Sequence, residues 1–263
     1  MTNMPEKIKQ NVIFSRVQLS LVSQRIMVEQ TRELMRYESD LTHPLYNSVI
    51  AYHQPLSDKD TKEDIERLIN GYQARKVPFT WLTWSHDADH ANLAQALAEN
   101  GLKKVDSLSG MSVSLPDWTY ISPAIHGLNI KPIRTRAEMN WFREIVLPVF
   151  GFEGEAGEAL VQISEDAAFG ENAAFRHYIG FMDGQPVAAA TAIHDGDTIG
   201  IYNVATLEGY RRRGLGSALT AHAAREGQAA GGRVAVLLAS KMGQGVYQAI
   251  GFEENVTIDV YLG

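Results

Sequence analysis

The residues with the clearest capacity for chemistry form an arginine- and glycine-rich run. The run consists of Arg211, Arg212, Arg213, Gly214, Leu215, Gly216 and Ser217. Glycines let the chain turn closely, so that backbone N–H groups at a helix start point towards an anion, and the helix dipole adds to the attraction. The run therefore predicts a phosphate site built chiefly from backbone, and the alternative is a plain turn with solvated arginines.

This run matches neither of two common nucleotide-binding motifs. No Lys-Ser or Lys-Thr pair follows the glycines, which excludes a P-loop. Leu219 stands where a dinucleotide-binding fingerprint needs its third glycine, and no acidic residue lies about 20 residues further on. A phosphorylated ligand would have to be recognised in another way.

The segments around the run predict a sheet that positions it. RHYIGFM, PVAAATAI and TIGIYNVAT precede it, joined by Asp183-Gly184 and by Asp195-Gly196-Asp197. Such residues are typical of tight hairpin turns, so we predict an antiparallel meander of strands. The run then opens a helix, and the near-continuous apolar segment RVAVLLAS follows as a strand buried on both faces.

The remaining segments predict two halves. In the first half we expect a helix over residues 17–38, a strand in LYNSVIAYH, a helix in DKDTKEDIERLINGYQARK, a strand in PFTWLTW, a helix in HANLAQALAEN and a strand in GLKKVDSLSGMSVSL. The second half opens with the strand LNIKPI, and Thr135 with Glu138 forms a capping box for a helix, after which GFEGEAGEALVQISED predicts another. PDWTYISPAIHG, rich in Pro, Ser and Gly, is the best linker, so we predict domains at 1–125 and 126–263.

A weak internal repeat relates the halves. VYQAIGFEENVTIDVYL has the order helix end, Gly, apolar residue, charged pair and strand, and ALAENGLKKVDSLSGMSVSL repeats it. Each follows a short apolar strand, PFTWLTW or RVAVLLAS. The first half has only NGYQARK as the equivalent of the glycine-rich run, so we expect phosphate chemistry in the second half.

The second half resembles the GNAT superfamily of N-acetyltransferases. That family has an Arg or Gln, two residues, Gly, one residue, then Gly or Ala after the fourth strand of a meander, and Arg211, Gly214 and Gly216 match this pattern. A polar residue, a Tyr seven residues later and a Gly-Phe pair follow in the family; here they are Ser240, Tyr247 and Gly251-Phe252. The resemblance covers residues 128–263 and implies an α/β fold with a mixed, mostly antiparallel sheet flanked by helices. The first half looks like a second, degenerate GNAT-like domain.

This resemblance implies acetyl-CoA or CoA as cosubstrate. Val204, Ala205 and Thr206 would pair with the pantetheine arm, Arg212 to Ser217 would cradle the pyrophosphate together with Arg211, and Ser240 would border the site. A backbone N–H near Ala205 or Thr206 would stabilise the oxyanion. Tyr247 would protonate the departing thiolate, and its alternative role is that of a packed aromatic beside Phe252.

The general base is uncertain because the glutamate that many family members carry on the strand is Ala235 here. We rank Glu155 and Glu153 first, because the family's acceptor wall is built from its first two helices and their connection. Glu208, His177 and His194 are further candidates, and water could accept the proton instead.

Composition narrows the function classes. The 263 residues include 24 Lys and Arg against 31 Asp and Glu, a net charge of −7, which argues against nucleic acid as the main partner. The absence of cysteine excludes disulfides, thiolate metal sites and a cysteine nucleophile. No segment approaches the ~18 apolar residues of a membrane helix, and the start lacks the apolar centre of a signal peptide. We expect a cytoplasmic protein without membrane or metal partners, and we leave room for a homodimer.

Two functions remain open. The leading one is direct transfer of an acetyl group from acetyl-CoA to a primary amine, small or peptidic, in a ternary complex; the alternative is an acetyl-CoA-binding sensor or interaction module without turnover. No basic residue lies between Arg143 and Arg176, whereas Glu144, Glu153, Glu155, Glu158, Glu165, Asp166 and Glu171 do. This acidic run predicts a cationic acceptor such as a polyamine, an aminoglycoside-like molecule or a lysine side chain, unless its carboxylates are merely solvated helix faces.

Overall fold

A computed structural model describes residues 3–55, 59–170 and 173–263. The elements described in the first half are α1 (Met4–Val22), β1 (Ile26–Gln30), β2 (Leu34–Ser39), β3 (Ser48–Tyr52), α2 (Lys59–Arg75), β4 (Thr80–Trp84), α3 (His90–Glu99) and β5 (Lys103–Ser114). Those of the second half are β6 (Leu128–Pro132), α4 (Met139–Phe150), α5 (Gly154–Phe169), β7 (Phe175–Met182), β8 (Gln185–Asp195), β9 (Thr198–Thr206), α6 (Leu215–Ala229), β10 (Val234–Ala239), α7 (Gln244–Gln248) and β11 (Glu253–Leu262).

One mixed sheet runs through the whole molecule. Its 11 strands lie in the order β1-β2-β3-β4-β11-β5-β10-β9-β8-β7-β6. The pairs β3–β4 and β9–β10 are parallel and the other pairs are antiparallel, which confirms the predicted mostly antiparallel sheet and the meander of β7, β8 and β9. The capping box also forms, since Thr135 Oγ1 accepts from the Glu138 N–H, and it opens a 3-10 turn ahead of α4.

The last strand of each half pairs within the other half. β5 lies between β10 and β11, and β11 lies between β4 and β5. The two halves are related by approximate twofold symmetry, because β4, β3, β2 and β1 follow β11 in the same order as β10, β9, β8 and β7 follow β5. Corresponding bonds also occur, since Thr80 N donates to Asn47 O just as Val234 N donates to Asp197 O. Residues 116–127 contain no helix or strand, as predicted for the linker, but the boundary near residue 125 stays a prediction.

Helices cover opposite faces of the second half. Ala188 and Ala190 of β8 pack against Leu219 of α6, whereas Ala189 between them packs with Phe142 of α4. The long helix α1 lies at the centre of the molecule, and its residues Ile8, Val12 and Ile13 join a core cluster with side chains of β2, β3, β4, β10 and β11. Among the described helices, none combines the length and apolarity needed to cross a bilayer.

The helix predicted over residues 17–38 is wrong beyond Val22. The chain leaves α1 there and forms the β1–β2 hairpin, in which Met35, Tyr37 and Ser39 are buried alternately, a strand period. The turn needs neither Gly nor Pro, because Thr31 Oγ1 accepts from the N–H groups of Glu33 and Leu34. Without turn residues in the sequence, two short strands were mistaken for a helix.

A second correction concerns the first half's equivalent of the glycine-rich run. NGYQARK, residues 70–76, lies at the C-terminal end of α2, whereas the glycine-rich run lies at the start of α6. The equivalent connection is residues 53–58 between β3 and α2, with the sequence HQPLSD, of which residues 56–58 lie outside the described residues. It contains no glycine.

Candidate functional site

The two parallel strands β9 and β10 separate at the centre of the second half. They pair from Thr198–Val234 to Ile201–Leu237 and then diverge. Beyond that point β9 remains paired with β8, through Ala189–Ala205 and Ala188–Thr206. Asn203 marks the divergence with a left-handed φ of 50°, at an irregularity in the β8–β9 register. The edge of residues 204–206 that faces away from β8 is therefore available to an extended ligand.

The arginine- and glycine-rich run forms the connection to α6. Arg212 and Gly214 adopt left-handed φ values of 61° and 80°, which turn the chain into the helix. Among the described residues, no acceptor bonds the backbone N–H groups of residues 212–217, and the first such bond after the turn is Ala218 N to Gly214 O at 3.0 Å. Consecutive free N–H groups at a helix start form an anion site.

The three arginines of the run behave differently. Arg211 Nε donates to Thr206 O at 3.2 Å and so fixes the turn to the end of β9. Arg213 donates to Gly209 O and lies over the Tyr210 ring. Arg212 has no partner within the part of the chain that the structure describes. All three side chains are exposed, so they add positive charge beside the free N–H groups.

Ser240 and Tyr247 lie on the other side of the gap. Ser240 is exposed and begins the turn into α7, where its hydroxyl and its carbonyl both accept from Gly243 N. Tyr247 is half-buried, and Tyr247 and Val204 both border the core cluster beneath α6. Burial raises the pKa of Tyr247 to about 12, so its phenol carries its proton at neutral pH. Its ring centroid is 6.3 Å from that of Phe252.

The predicted base candidates lie in dissimilar surroundings. Glu155 is largely exposed, and Arg25 of the first half donates to it at 2.6 Å. Glu153 precedes α5 as an exposed residue and makes no side-chain cap. Glu208 is exposed on the 3-10 turn after β9. His194 is half-buried at the end of β8, where burial lowers its pKa. Within the described residues, no contact joins Glu153 or Glu155 to Tyr247.

His177 belongs to a buried polar chain that the sequence reading missed. Its Nδ1 is 2.8 Å from Thr191 Oγ1 and its Nε2 is 3.2 Å from Ser164 O. Asn203 Nδ2 donates to the same Thr191 Oγ1 at 3.2 Å. Complete burial lowers the pKa of His177 to about 4, so the ring is neutral. The available signal was Asn203, a polar residue inside an apolar strand and of a type that tolerates left-handed φ.

Arginine side chains from other parts of the fold form ion pairs with carboxylates of the acidic run. Arg136 Nη1 lies 2.6 Å from Glu165 and 2.9 Å from Asp166. Arg143 pairs with Glu158, and Arg25 pairs with Glu155. Glu171 lies outside the described residues. The run is therefore less negative in the fold than its sequence indicates.

Comparison with known proteins identifies similar sequences and folds. Residues 142–252 match the sequence model of the acetyltransferase (GNAT) family. No curated protein matches the chain. A GCN5-related N-acetyltransferase from Kribbella flavida is similar in structure, with a TM-score of 0.73 and 18% identity over 99% of this chain and 96% of that one. A GCN5-related N-acetyltransferase from Sphaerobacter thermophilus gives a TM-score of 0.69 and 14% identity over 89% and 81% of the two chains.

A tandem GNAT protein from the clavulanic acid biosynthesis pathway is also similar, with a TM-score of 0.63 and 10% identity over 98% of this chain and 95% of that one. The strand order and the flanking helices thus define a GNAT-type α/β fold that extends over both halves of the chain. Residues 142–252 in the second half form a domain of the acetyltransferase (GNAT) family.

Proposed function

We propose that the protein is an N-acetyltransferase that transfers an acetyl group from acetyl-CoA to a primary amine in a ternary complex. The observation that carries the proposal is the row of unbonded N–H groups at residues 212–217, next to the free edge of β9. The N–H groups would bind an anionic group, and the free edge of β9 would bind an extended arm attached to that group.

The residues fit acetyl-CoA without a metal. Val204, Ala205 and Thr206 offer backbone groups to the pantetheine arm, and residues 212–217 offer N–H groups to the pyrophosphate. Arg211 and Arg213 already donate to backbone carbonyls, so Arg212 is the arginine free to contact a phosphate. Ser240 shapes the start of α7 at the border of the site.

Acetyl-CoA supplies the acetyl group as an activated thioester. The amine nitrogen forms a bond to the acyl carbon, the C–S bond breaks, and the extra proton on nitrogen passes to a base. A backbone N–H near Ala205 or Thr206 stabilises the oxyanion. Tyr247 donates to the departing sulfur. Because its pKa is about 12 and a thiol's is ~8.5, full transfer to a free thiolate would be uphill, so Tyr247 acts mainly by hydrogen bonding as the bond breaks.

We propose a small set of groups as the general base that accepts the proton of the amine. Glu155 and Glu153 remain the first candidates, although Glu155 is already engaged in an ion pair with Arg25. His177 is too buried to meet an amine directly. Water is the other acceptor, since an amine that reaches the site uncharged needs only a route for one proton.

The expectation of a cationic acceptor loses most of its support. It depended on an acidic run without basic residues, but three arginines pair with four of these carboxylates in the fold. We therefore propose an amine acceptor and do not assign it extra positive charge. A cytoplasmic location and a homodimer stay predictions.

A thiol-release assay separates the enzyme from an acetyl-CoA sensor. Acetyl-CoA is incubated with the protein and a panel of primary amines, and free CoA is measured together with calorimetric binding of acetyl-CoA. The proposal expects amine-dependent release that needs Tyr247. Tight binding of acetyl-CoA without release for any amine would favour the sensor, for which the half-buried Tyr247 has no evident use.

A further inference from the structure

Helix α1 of the first half covers β9 where β9 leaves β10. Tyr202 precedes Asn203 at the divergence, and its hydroxyl donates to Asn11 Oδ1 at 2.8 Å. Asn11 also lies directly over Gly200, where an added Cβ would come within 2.0 Å of Asn11 Oδ1. Arg16, one turn further along α1, acts electrostatically on Tyr202 as well. The first half thus supplies one wall of the space beside the divergence.

Arg16 is a half-buried cation without a carboxylate. Its Nε is buried and has no hydrogen-bond partner, and no ion pair of Arg16 occurs among residues 3–55, 59–170 and 173–263. Its guanidinium carbon lies 5.5 Å from the centre of the Tyr37 ring. By contrast, Arg25 and Arg36 of the same half each pair with two carboxylates.

The described neighbours on which Arg16 acts electrostatically are uncharged phenols. They include Tyr37, Tyr46 and Tyr202, and burial raises the pKa of each, so the three phenols keep their protons. The carboxylate of Asp195 is held by Asn11 and influenced by Lys7 instead. An unpaired cation that is partly removed from water costs free energy, which an incoming anion would recover. A guanidinium is best matched by a carboxylate, through two parallel hydrogen bonds.

We propose that the acceptor amine also carries a carboxylate and that Arg16 binds it. The acceptor would then be an amino acid, a short peptide or a related amine with a free carboxylate, and the site would be composite, with chemistry from the second half and recognition from the first. This inference rests on the proposed acetyl transfer at the β9–β10 gap.

The test compares matched substrates and matched variants. α-Amino acids, ω-amino acids and dipeptides are each assayed beside their methyl esters, which keep the amine and remove the negative charge. We expect the wild type to prefer the acids. Arg16→Gln should raise KM for the acids about 30-fold or more, the lower end of the cost of removing one partner of a buried charge pair, with kcat and the esters little affected. Arg16→Lys should recover part of the loss.

Arg36→Gln is the control, because Arg36 lies on β2 next to Tyr37 and is already paired with Glu29 and Glu38. It should leave the preference unchanged, and circular dichroism should show all variants folded. Calorimetric titration of the same acids and esters into CoA-saturated protein gives a second readout that needs no turnover. If no amine releases thiol, but the wild type binds the acids more tightly than the esters and Arg16→Gln loses this preference, the proposed acetyl transfer is contradicted and the inference about Arg16 stands. Equal use or binding of acids and esters, or no effect of Arg16→Gln, would overturn the inference.

Discussion

The two halves share a scaffold but differ at each position where chemistry is proposed. In the second half Phe252 N donates to Tyr247 O at 3.0 Å, and in the first half Leu102 N donates to Leu97 O at 3.0 Å. Leu97 therefore occupies the place of Tyr247, and it is fully buried in a core. The first half has no proton donor at this place.

The gap between the parallel strands also differs. In the first half Trp84 Nε1 donates to Ile50 O at 2.7 Å, a bond from β4 to β3 across the point where those strands separate. By the same symmetry Leu238 takes the place of Trp84 in the second half, and its side chain cannot make such a bond. One half has closed its gap with a buried indole, whereas in the other half Val204 and Tyr247 are only partly buried at the border of the core cluster beneath α6. We infer that the first half packs against the second half and forms a wall of its site.

The largest effect is expected when the halves are separated. Residues 126–263 alone would lack β5, which leaves β10 and β11 without the strand that joins them. Residues 1–125 alone would equally lack β11, the partner of β4. Because unpaired strand edges aggregate, we expect each fragment to be unfolded or aggregated and the two together to reconstitute the fold.

Co-expression and circular dichroism measure this outcome, with the intact chain as reference. A monomeric, cooperatively unfolding fragment 126–263 would show that the exchanged strand is dispensable and that the halves are independent domains.

The next largest effect is the loss of CoA binding in Gly214→Asp. The substitution places a carboxylate beside the free N–H groups and forces an L side chain into a φ of 80°. We expect calorimetric affinity for CoA to fall by at least about 100-fold, since two charges of one sign meet at close range.

Gly71→Asp is the control in the corresponding helix α2, because a Cβ there meets no atom within 4 Å. It should bind CoA as the wild type does. Unchanged affinity in a folded Gly214→Asp protein would remove the pyrophosphate from this turn.

Local signals in the sequence were sufficient for the second half. Asp183-Gly184 and Asp195-Gly196-Asp197 predicted the hairpins, and the apolar segment RVAVLLAS predicted a strand buried on both faces. The glycine pair of the run predicted a turn into a helix, and its left-handed Gly214 confirms that part. These features depend on neighbours in the sequence, which is why they could be read from it.

Features that depend on distant neighbours were not predicted. The exchange of β5 and β11 leaves both strands with ordinary strand sequences, so no local pattern distinguishes it. The pairing of Glu155 with Arg25 joins residues 130 positions apart. Arg16 precedes the helix that the sequence predicted over residues 17–38, and only the fold shows that it lies near Tyr202 without a carboxylate partner.

A moderate effect on turnover is expected for Tyr247→Phe. The ring and its packing on Phe252 remain, while the hydrogen bond to the departing sulfur is lost. We expect kcat to fall about 10- to 100-fold with CoA affinity nearly unchanged, as for a positioned proton donor. Tyr261→Phe, a buried tyrosine of β11 in the first half's core, is the control and should keep kcat. Full activity of Tyr247→Phe would make this tyrosine, like Leu97, a packing residue.

The smallest effect concerns the polar chain from His177 through Thr191 to Asn203 in the second half. Thr191 of β8 pairs with Tyr202 of β9, and at the equivalent place in the first half Leu34 of β2 pairs with Tyr52 of β3. Leucine has no hydroxyl, so Leu34 cannot form the hydrogen bonds that Thr191 makes with His177 and Asn203.

Because burial holds the pKa of His177 at about 4 and an unfolded histidine has one of ~6.5, the unfolded state binds more protons between these values. The histidine's contribution to stability is therefore complete above about pH 6.5 and is lost as the pH falls towards 4. From about pH 7 to about pH 5.5 the free energy of unfolding should drop by about 1 kcal/mol through this residue. Urea unfolding of the wild type and of His177→Gln at both pH values measures the difference, with the exposed His126→Gln as control. An equal pH dependence in all three proteins would show that the buried chain does not hold His177 neutral, and the contrast between the halves would then be limited to the turn and Tyr247.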